Sequence, residues 1–272
     1  ENHKNYWGEE FEVLEINSSL DNNIQKAYAY RSKSNTPQPL IVSLHTWSND
    51  YSQYDALAQM SKQKELNYIH PNFRGANNTI NACCSDLVIA DIDDAITYAI
   101  EKFNIDINNI FVIGFSGGGY TTLCTFMKSK HNISKFSAWA SITDLSTWYQ
   151  ESELRNNNLD QDILDCTGSK NILNIEFAKK KSPIYFITPK EKLETEKLYI
   201  YTGIYDGIQG SVPITHSINF YNKLLSDLKV IDTLYYVSDM EKLNLLEKRI
   251  ALDEYENIAD RKIILKKEFE NI

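Results

Sequence analysis

The stretch Ile110–Tyr120, IFVIGFSGGGY, decides the fold of this chain. Its first four residues are apolar and typical of a strand that is buried on both faces, and a helical pattern begins at about Gly119. Between them lies Gly114–Gly118, a G-x-S-x-G turn that joins the strand to the helix. We expect this turn to hold Ser116 in a sparsely populated backbone conformation, with its hydroxyl above the edge of a sheet.

The glycines around the serine support this interpretation. Gly114 and Gly118 lie two residues before and after it, where a Cβ would collide with the following helix or the adjacent strand. The amide of Gly117 lies at the N-terminus of the helix, where it can donate to a developing oxyanion. The pattern therefore predicts Ser116 as a nucleophile. The alternative, a simple glycine-rich turn, is disfavoured by the strand and helix that flank it.

Size and charge bound the possible functions. The chain has 272 residues, of which 42% are hydrophobic, which is enough for one α/β domain spanning residues 1–272. The net charge of -9 and the pI near 5.1 disfavour nucleic acid and anionic membranes as partners, because like charges repel. No run of 18 apolar residues predicts a membrane span. A neutral or weakly charged small molecule fits better as a partner, and the oligomeric state stays open.

The cysteines and the first residue bear on the compartment. Four cysteines are too few for a disulfide-dense scaffold, and their spacing does not match a structural zinc site. Cys124 is expected in the core, and either Cys83 or Cys84 can pair with Cys166 and tie two long loops together. The chain starts at Glu1 without a methionine, which suggests a trimmed N-terminus, so this sequence would not show a signal peptide. We expect a secreted or periplasmic protein, with the cytoplasm as the alternative.

Strands and helices alternate along most of the chain, which predicts an α/β fold: a mostly parallel sheet of about eight strands with helices on both faces. An antiparallel pair is expected at residues 11–16 and 24–31, and a long helix at 86–103. Periodicity breaks down at about 144–192, and we expect a loop-rich insertion over the mouth of the site there. The last predicted elements are a helix at 240–251 and a strand at 262–265.

A nucleophilic serine needs a base, and the base needs an orienting carboxylate. Asp206 lies three residues after the buried strand that ends at Gly203, and we predict it as the acid; Asp144 is the second candidate. Of the five histidines, only His216 follows Asp206. Either a further strand with its histidine lies beyond Ile272, or His216 is the base. A helix-capping or substrate-contacting role for His216 stays equally open.

Residues at the carboxyl ends of other strands complete the candidate site. The loop His45-Thr46-Trp47 follows a buried strand, and we expect the amide of Thr46 or of Trp47 to join Gly117 in an oxyanion hole. His45 itself is expected to hold this loop. Arg74 and Trp148 lie at other strand ends, where ligands collect, and are predicted to bind substrate. Core packing is the alternative for the aromatic residues, above all for Trp139. No metal or cofactor is predicted.

Three segments resemble one known family. They are Asn72-Phe73-Arg74-Gly75, the turn around Ser116, and Asp206-Gly207 followed by Gly210–Ser217, GSVPITHS. Together they look like the prolyl-oligopeptidase-type branch of the α/β-hydrolases, and more narrowly like its single-domain secreted bacterial members, which are read as carbohydrate esterases. The likeness covers residues 38–228.

The resemblance implies an α/β-hydrolase fold, Ser116 as nucleophile, Asp206 as acid, and a histidine in a G-x-H-E-like loop after the strand at Lys262, which this sequence does not contain. It implies a serine hydrolase that cleaves an ester through a covalent acyl-enzyme, with an acylated sugar or oligosaccharide as substrate. A prolyl-oligopeptidase-like peptidase, or a hydrolase-like binding protein without its base, is the alternative.

Overall fold

A computed structural model describes residues 7–250, 256–258 and 261–272. A seven-stranded sheet forms its centre, in the order β1-β2-β4-β3-β5-β6-β7. β1 and β2, and β2 and β4, pair antiparallel, and the other neighbours are parallel. The α/β prediction is confirmed. The strands are β1 Glu12–Asn17, β2 Ile24–Tyr30, β3 Gln38–Leu44, β4 Asn67–Pro71, β5 Ile105–Phe115, β6 Lys135–Trp139 and β7 Lys197–Tyr201.

The strand predicted at 262–265 does not join this sheet. β8 (Glu256–Ile258) and β9 (Arg261–Ile263) pair with each other as a separate antiparallel hairpin. The edge of β7 is met instead by the last residues of the chain, where the Leu198 amide donates to the Asn271 carbonyl at 2.8 Å. The main sheet therefore has seven strands instead of about eight, because β8 and β9 pair with each other and not with β7.

Eight α-helices lie within the described residues. They are α1 Ala56–Gln63, α2 Asp86–Lys102, α3 Gly117–Lys128, α4 Leu145–Arg155, α5 Leu159–Cys166, α6 Ile175–Lys180, α7 Ile214–Asp227 and α8 Asp239–Leu243. The helix predicted at 240–251 is shorter than expected, since α8 ends at Leu243 and a π-turn covers Asn244–Lys248. Ala251 lies outside the described residues. No described helix combines the length and the apolar composition that crossing a membrane requires.

The main core lies on the face of the sheet that α2, α3 and α7 cover. Their apolar stripes pack against alternate residues of the parallel strands, as a sheet with helices on both faces requires. Phe126 of α3 meets Phe136 of β6 edge to face, with ring centroids 5.3 Å apart. Phe220 and Leu224 of α7 join the same cluster. This face therefore fixes α3, and with it the turn at which α3 begins.

The opposite face has a smaller core, which α1 and the aromatic side chain of Trp7 cover. His70 lies there, with its ring centroid 5.5 Å from that of Trp7 and 6.2 Å from that of His45. Burial, together with the nearby His45, lowers the pKa of His70 from 6.5 to about 4. Burial also lowers the pKa of His45. Both rings are therefore neutral in the folded chain at neutral pH.

The insertion at 144–192 is helical rather than loop-rich. It contains α4, α5 and α6, followed by two short 3-10 turns, Pro183–Tyr185 and Lys192–Glu194. Asp144, the second candidate for the acid, caps α4: its carboxylate accepts from the Ser146 amide at 2.9 Å and from Tyr185 Oη at 3.0 Å. The Asp144 carboxylate therefore stabilises the N-terminus of α4.

The disulfide joins two cysteines that the sequence did not predict to pair, and Cys166 is not bonded to Cys83 or to Cys84 in the structure. Cys84 is bonded to Cys124 of α3, so Cys124 is more than a core residue. Cys83 and Cys166 are buried free thiols. The crosslink attaches the long loop between β4 and α2 to the helix that follows Ser116.

The first prediction concerns Gly118, whose Cα faces the end of β3. An added Cβ would overlap the carbonyl oxygen of Leu44. We expect Gly118→Ala to lower the free energy of unfolding by about 1–3 kcal/mol, because backbone must move to admit the methyl group. Urea unfolding measures the change. Gly210→Ala is the matched control, since an added Cβ there meets no atom closer than 3.9 Å, and equal losses for the two variants would contradict the explanation.

The second prediction concerns pH. The pKa of His70 is lower in the folded chain than in the unfolded chain, so the unfolded chain binds more protons between pH 6.5 and 4. The free energy of unfolding is therefore highest, as far as His70 is concerned, above pH 6.5. It decreases as the pH falls towards 4, because protonation of His70 favours the unfolded chain. We expect His70→Phe to make the free energy of unfolding fall less steeply in this window, by at most about 1.4 kcal/mol per pH unit. Urea titrations at pH 7, 6 and 5 compare the two slopes, and identical slopes would refute the assignment.

Candidate active site

Ser116 occupies the predicted turn between β5 and α3. Its φ of 57° and ψ of -116° lie in a region that residues with a Cβ rarely adopt. The Ser116 amide donates to the carbonyl of Trp139 on β6 at 2.8 Å, and its carbonyl accepts from the Tyr120 amide at 2.9 Å. These two bonds hold the strained conformation between sheet and helix. The predicted backbone geometry of the turn is confirmed, and Ser116 is partly exposed.

Three glycines allow this turn to pack closely. A Cβ on Gly114 would overlap the backbone of Gly118, and one on Gly118 would overlap the carbonyl oxygen of Leu44 at the end of β3. Gly119 is equally restricted, because its added Cβ would lie 2.6 Å from the carbonyl oxygen of Trp139. The sequence pattern predicted the first two positions, whereas Gly119 becomes understandable only from the neighbouring strand.

The loop after β3 supplies the second amide of the candidate oxyanion hole. Gly117 packs directly against the backbone of Trp47, close enough that a Cβ on Gly117 would overlap the Trp47 amide nitrogen. The Thr46 amide is used elsewhere, since it donates to Gln53 Oε1 at 2.8 Å. Of the two alternatives, Trp47 therefore fits and Thr46 does not. An amide that lies against Gly117 in this way can bind the same oxyanion as the Gly117 amide.

His45 holds this loop, as the sequence predicted for it. Its Nε2 lies 2.8 Å from the carbonyl oxygen of Asn72, and its ring stacks on Phe73 with centroids 3.8 Å apart. The ring thus links the end of β3 to the loop after β4. Gln53 was not singled out from the sequence, because a glutamine in a polar loop carries no pattern that indicates its partner.

Asp206 lies in the loop after β7, as predicted. Its Oδ2 accepts from the Gly203 amide at 2.7 Å and from Thr202 Oγ1 at 2.9 Å. Within the described part of the chain, no hydrogen-bond donor contacts Oδ1. The loop therefore fixes one carboxylate oxygen and leaves the other available to orient an imidazole.

His216 is held away from Ser116. The Thr143 amide, which can only donate, lies 3.1 Å from Nδ1, so Nδ1 accepts and Nε2 carries the proton. Nε2 donates to Glu151 Oε2 at 3.0 Å. Both ring nitrogens are thus occupied, and the side chain is buried. This corrects the prediction of His216 as base: it joins α7 to α4.

Thr143, His216 and Glu151 resemble a catalytic series of hydroxyl, imidazole and carboxylate. The Thr143 hydroxyl donates to the His216 carbonyl oxygen at 3.1 Å, however, and the residue is fully buried. A substrate cannot reach this hydroxyl, so the three side chains hold helices together. Glu151 was missed in the sequence, since nothing in its helix marks it as the partner of His216.

The other described histidines do not reach the serine either. His131 Nε2 lies 2.9 Å from the Asp93 carbonyl oxygen, and His45 and His70 lie in the cores described above. His3 lies outside the described residues. None of the hydrogen bonds of the described histidines involves Ser116.

The predicted substrate-binding role of Arg74 is not supported. Its side chain is only 7% exposed and forms ion pairs with Asp91 at 2.6 Å and Asp21 at 2.7 Å. Arg74 holds the pKa of Asp21 well below its usual range. The guanidinium also donates to Ser18 Oγ at 2.8 Å. Arg74 therefore ties the loop after β4 to α2 and to the first hairpin.

Trp148 is also a structural residue. It is fully buried, its Nε1 donates to the Ser211 carbonyl at 2.9 Å, and its ring meets that of Trp47 edge to face at 4.7 Å. Trp47 Nε1 in turn donates to Asp162 of α5 at 3.1 Å. Trp148 thus packs against Trp47 in the loop after β3, instead of contacting substrate as predicted.

A row of aromatic residues crosses the sheet beside Ser116. Phe115, Trp139 and Tyr201 are register partners on β5, β6 and β7 and face away from α3. Trp139 and Tyr201 stack with centroids 4.2 Å apart at an angle of 21°. Phe115 is 59% exposed and Tyr201 37%. The sequence favoured core packing for Trp139; the structure places it at the partly exposed centre of this row.

Comparison with known families places the chain. The family model BD-FAE matches residues 27–224, which is well over half of the chain. The chain belongs to the BD-FAE family. The matched range of this BD-FAE chain runs from β2 into α7, so it includes Ser116, the Trp47 loop and Asp206.

Solved structures show the same fold. Acylaminoacyl peptidase from Pyrococcus horikoshii has a TM-score of 0.62 and 18% identity, covering 79% of this chain and 35% of that one. Prolyl oligopeptidase B from Galerina marginata has a TM-score of 0.63 and 15% identity, covering 80% of this chain and 32% of that one. A puromycin-hydrolyzing peptidase from Mycobacterium tuberculosis has a TM-score of 0.62 and 14% identity, covering 80% of this chain and 34% of that one.

These likenesses establish the fold: the BD-FAE chain has an α/β-hydrolase fold of the prolyl-oligopeptidase type. The chain spans about a third of the length of these structures.

The third prediction tests the structural role of His216. We expect His216→Leu to lower the free energy of unfolding by about 1–3 kcal/mol, because the Thr143 amide and the Glu151 carboxylate each lose their hydrogen bond to the buried imidazole. The reaction rate of Ser116 with a fluorophosphonate should change less than about 3-fold, since the imidazole does not contact this serine. A fall of about 10³-fold or more with unchanged stability would restore His216 as the base.

Proposed function

We propose that this chain is a serine hydrolase that cleaves a carboxylic ester through an acyl-enzyme on Ser116. The observation that carries the proposal is the strained Ser116 beside the paired backbones of Gly117 and Trp47. A nucleophile next to two preorganised amides is the arrangement that acyl transfer requires. Membership of the BD-FAE family supports the same reaction class.

The proposed reaction has two steps. Ser116 Oγ attacks the ester carbonyl carbon and gives its proton to a base, and the amides of Gly117 and Trp47 bind the tetrahedral oxyanion. The base then protonates the leaving alkoxide, which departs as the alcohol. In the second step water loses a proton to the base and attacks the acyl-enzyme. The base then returns this proton to Ser116 Oγ as the bond to the acyl carbon breaks, which releases the acid and restores the serine. No metal or cofactor takes part.

We propose that Asp206 orients the base through Oδ1 and that the base is none of the described histidines. The available Oδ1 of Asp206 supports this, because Oδ2 is already fixed by Gly203 and Thr202. The second candidate function, a hydrolase-like binding protein, is favoured by the engagement of His216 with Thr143 and Glu151.

An acylated carbohydrate is the proposed substrate. The partly exposed row of Phe115, Trp139 and Tyr201 adjoins Ser116, and aromatic faces of this kind stack on sugar rings. The net charge of -9 suits a neutral substrate better than an acidic one. A peptide substrate is the alternative, supported by the names of the structural neighbours, which are peptidases. We propose that the protein works outside the cytoplasm, and its disulfide supports this.

The fourth prediction tests the nucleophile. We expect a fluorophosphonate to label the wild-type chain on Ser116, and Ser116→Ala to abolish both the label and the hydrolysis of p-nitrophenyl acetate. Loss of the attacking oxygen should lower turnover by at least about 10³-fold. Ser48→Ala, an exposed serine in the neighbouring loop, is the matched control and should keep both activities.

The outcomes separate the candidate functions. A wild-type chain that takes no label would favour the binding protein, and a labelled Ser116→Ala variant would overturn the nucleophile. Rates on an acetylated xylo-oligosaccharide and on a peptide anilide then distinguish esterase from peptidase. Comparable rates on the two substrates would contradict the carbohydrate esterase.

A further inference from the structure

Two consecutive cysteines lie at the end of the loop between β4 and α2. Cys83 and Cys84 both have left-handed backbone conformations, with φ of 52° and 54°. Such a pair is costly for residues that carry a Cβ, so the surrounding contacts must maintain it. Both side chains are buried in the same cluster, which also contains Cys124 and Cys166. The strained turn therefore directs two adjacent thiols into one interior.

The two thiols have different partners. Cys84 is bonded to Cys124 of α3, whereas Cys83 and Cys166, the last residue of α5, are free thiols buried in the same cluster, and their side chains interact. Cys83 Sγ also donates to the carbonyl oxygen of Asn77 at 3.2 Å. The cluster thus contains one disulfide and two free thiols.

We propose that Cys83 and Cys166 are an oxidisable pair that closes a second disulfide next to Cys84–Cys124, with a low-molecular-weight disulfide as the oxidant. A thiolate from one cysteine attacks the oxidant RSSR, forms a mixed disulfide and expels RS⁻. The other thiolate attacks the mixed disulfide and expels the second RS⁻. Both thiols are oxidised, one RSSR is reduced to two RSH, and the two protons pass to the RSH products.

Burial determines when this reaction runs. It raises the pKa of the Cys83 thiol, and the interaction with Cys166 raises it further. Thiolate is the reactive form, so the folded chain reacts slowly. The reaction is fastest while the chain folds, before the cluster closes around the thiols.

The crosslink would join the loop after β3, which holds Trp47, to the helical insertion. Asn77 already connects the loop after β3 to Cys83, because its amide donates to the Trp47 carbonyl at 2.8 Å and its Oδ1 accepts from the Cys83 amide at 3.0 Å. A bond to Cys166 fixes this unit to α5, while Cys84–Cys124 fixes it to α3. The consequence for catalysis rests on the proposed function; the bond itself does not.

Peptide mapping tests the bond directly. The full chain is reduced in guanidinium, refolded with reduced and oxidised glutathione, alkylated with iodoacetamide and cut with trypsin without reduction. Cys83 and Cys84 fall in peptide 75–102, Cys124 in 103–128 and Cys166 in 156–170. We expect one assembly of all three peptides and no alkylated cysteine. Alkylated or glutathione-linked peptide 156–170 would overturn the proposal.

Two variants identify the pairing. Cys84→Ser should retain the link between peptides 75–102 and 156–170 and leave Cys124 alkylated. Cys83→Ser should retain the link between 75–102 and 103–128 and leave Cys166 alkylated. The opposite pattern would contradict the assignment. If a variant fails to refold, the map of the wild-type chain still decides whether peptide 156–170 is crosslinked.

The effect on the site is measured separately. Wild-type chains with and without the second bond are compared for their rate of fluorophosphonate labelling. We expect the crosslinked chain to keep its labelling rate to a higher urea concentration, because the Trp47 loop is held from two sides. Failure to label at all would count against the hydrolase alone, since the peptide map is independent of activity.

Discussion

The close approach of two backbones organises this molecule. The start of α3 lies so near the end of β3 that Gly117 touches the Trp47 backbone and Gly118 faces the Leu44 carbonyl, with no room for a Cβ at either position. Between these contacts Ser116 has a φ of 57°, and the Trp47 amide nitrogen lies against Gly117. The stability of the packing and the chemistry of the turn therefore depend on the same contact.

The rest of the structure holds the two backbones in place. Sheet pairing fixes β3 beside β5, and α3 packs on the main core through residues such as Phe126. The loop after β3 is held by Gln53, by the stacked pair of His45 and Phe73, and by the Trp47–Trp148 contact. These supports come from distant parts of the chain, which is why a short motif needs a whole domain to position it.

The sequence predicted what depends on local pattern. The turn around Ser116 requires glycines at set positions, and the alternation of strands and helices indicated the sheet. Asp206 was predicted as the acid because of its place after a strand, and that role stays a prediction. Partners across the fold left no such signal: the ion pairs of Arg74, the burial of Trp148 and the bond from His216 to Glu151 all join residues far apart in sequence. An arginine or tryptophan at a strand end looks the same whether it faces ligand or protein.

The aromatic row beside Ser116 gives the molecule an optical reporter. Trp7, Trp47 and Trp148 are buried, whereas Trp139 is partly open to water and stacked on Tyr201. Indole emission shifts with the polarity of its surroundings, so a molecule that settles on this row would displace water from one of the four tryptophans and leave the other three unaffected. Occupancy next to the nucleophile can thus be followed by intrinsic fluorescence, without a label and without turnover.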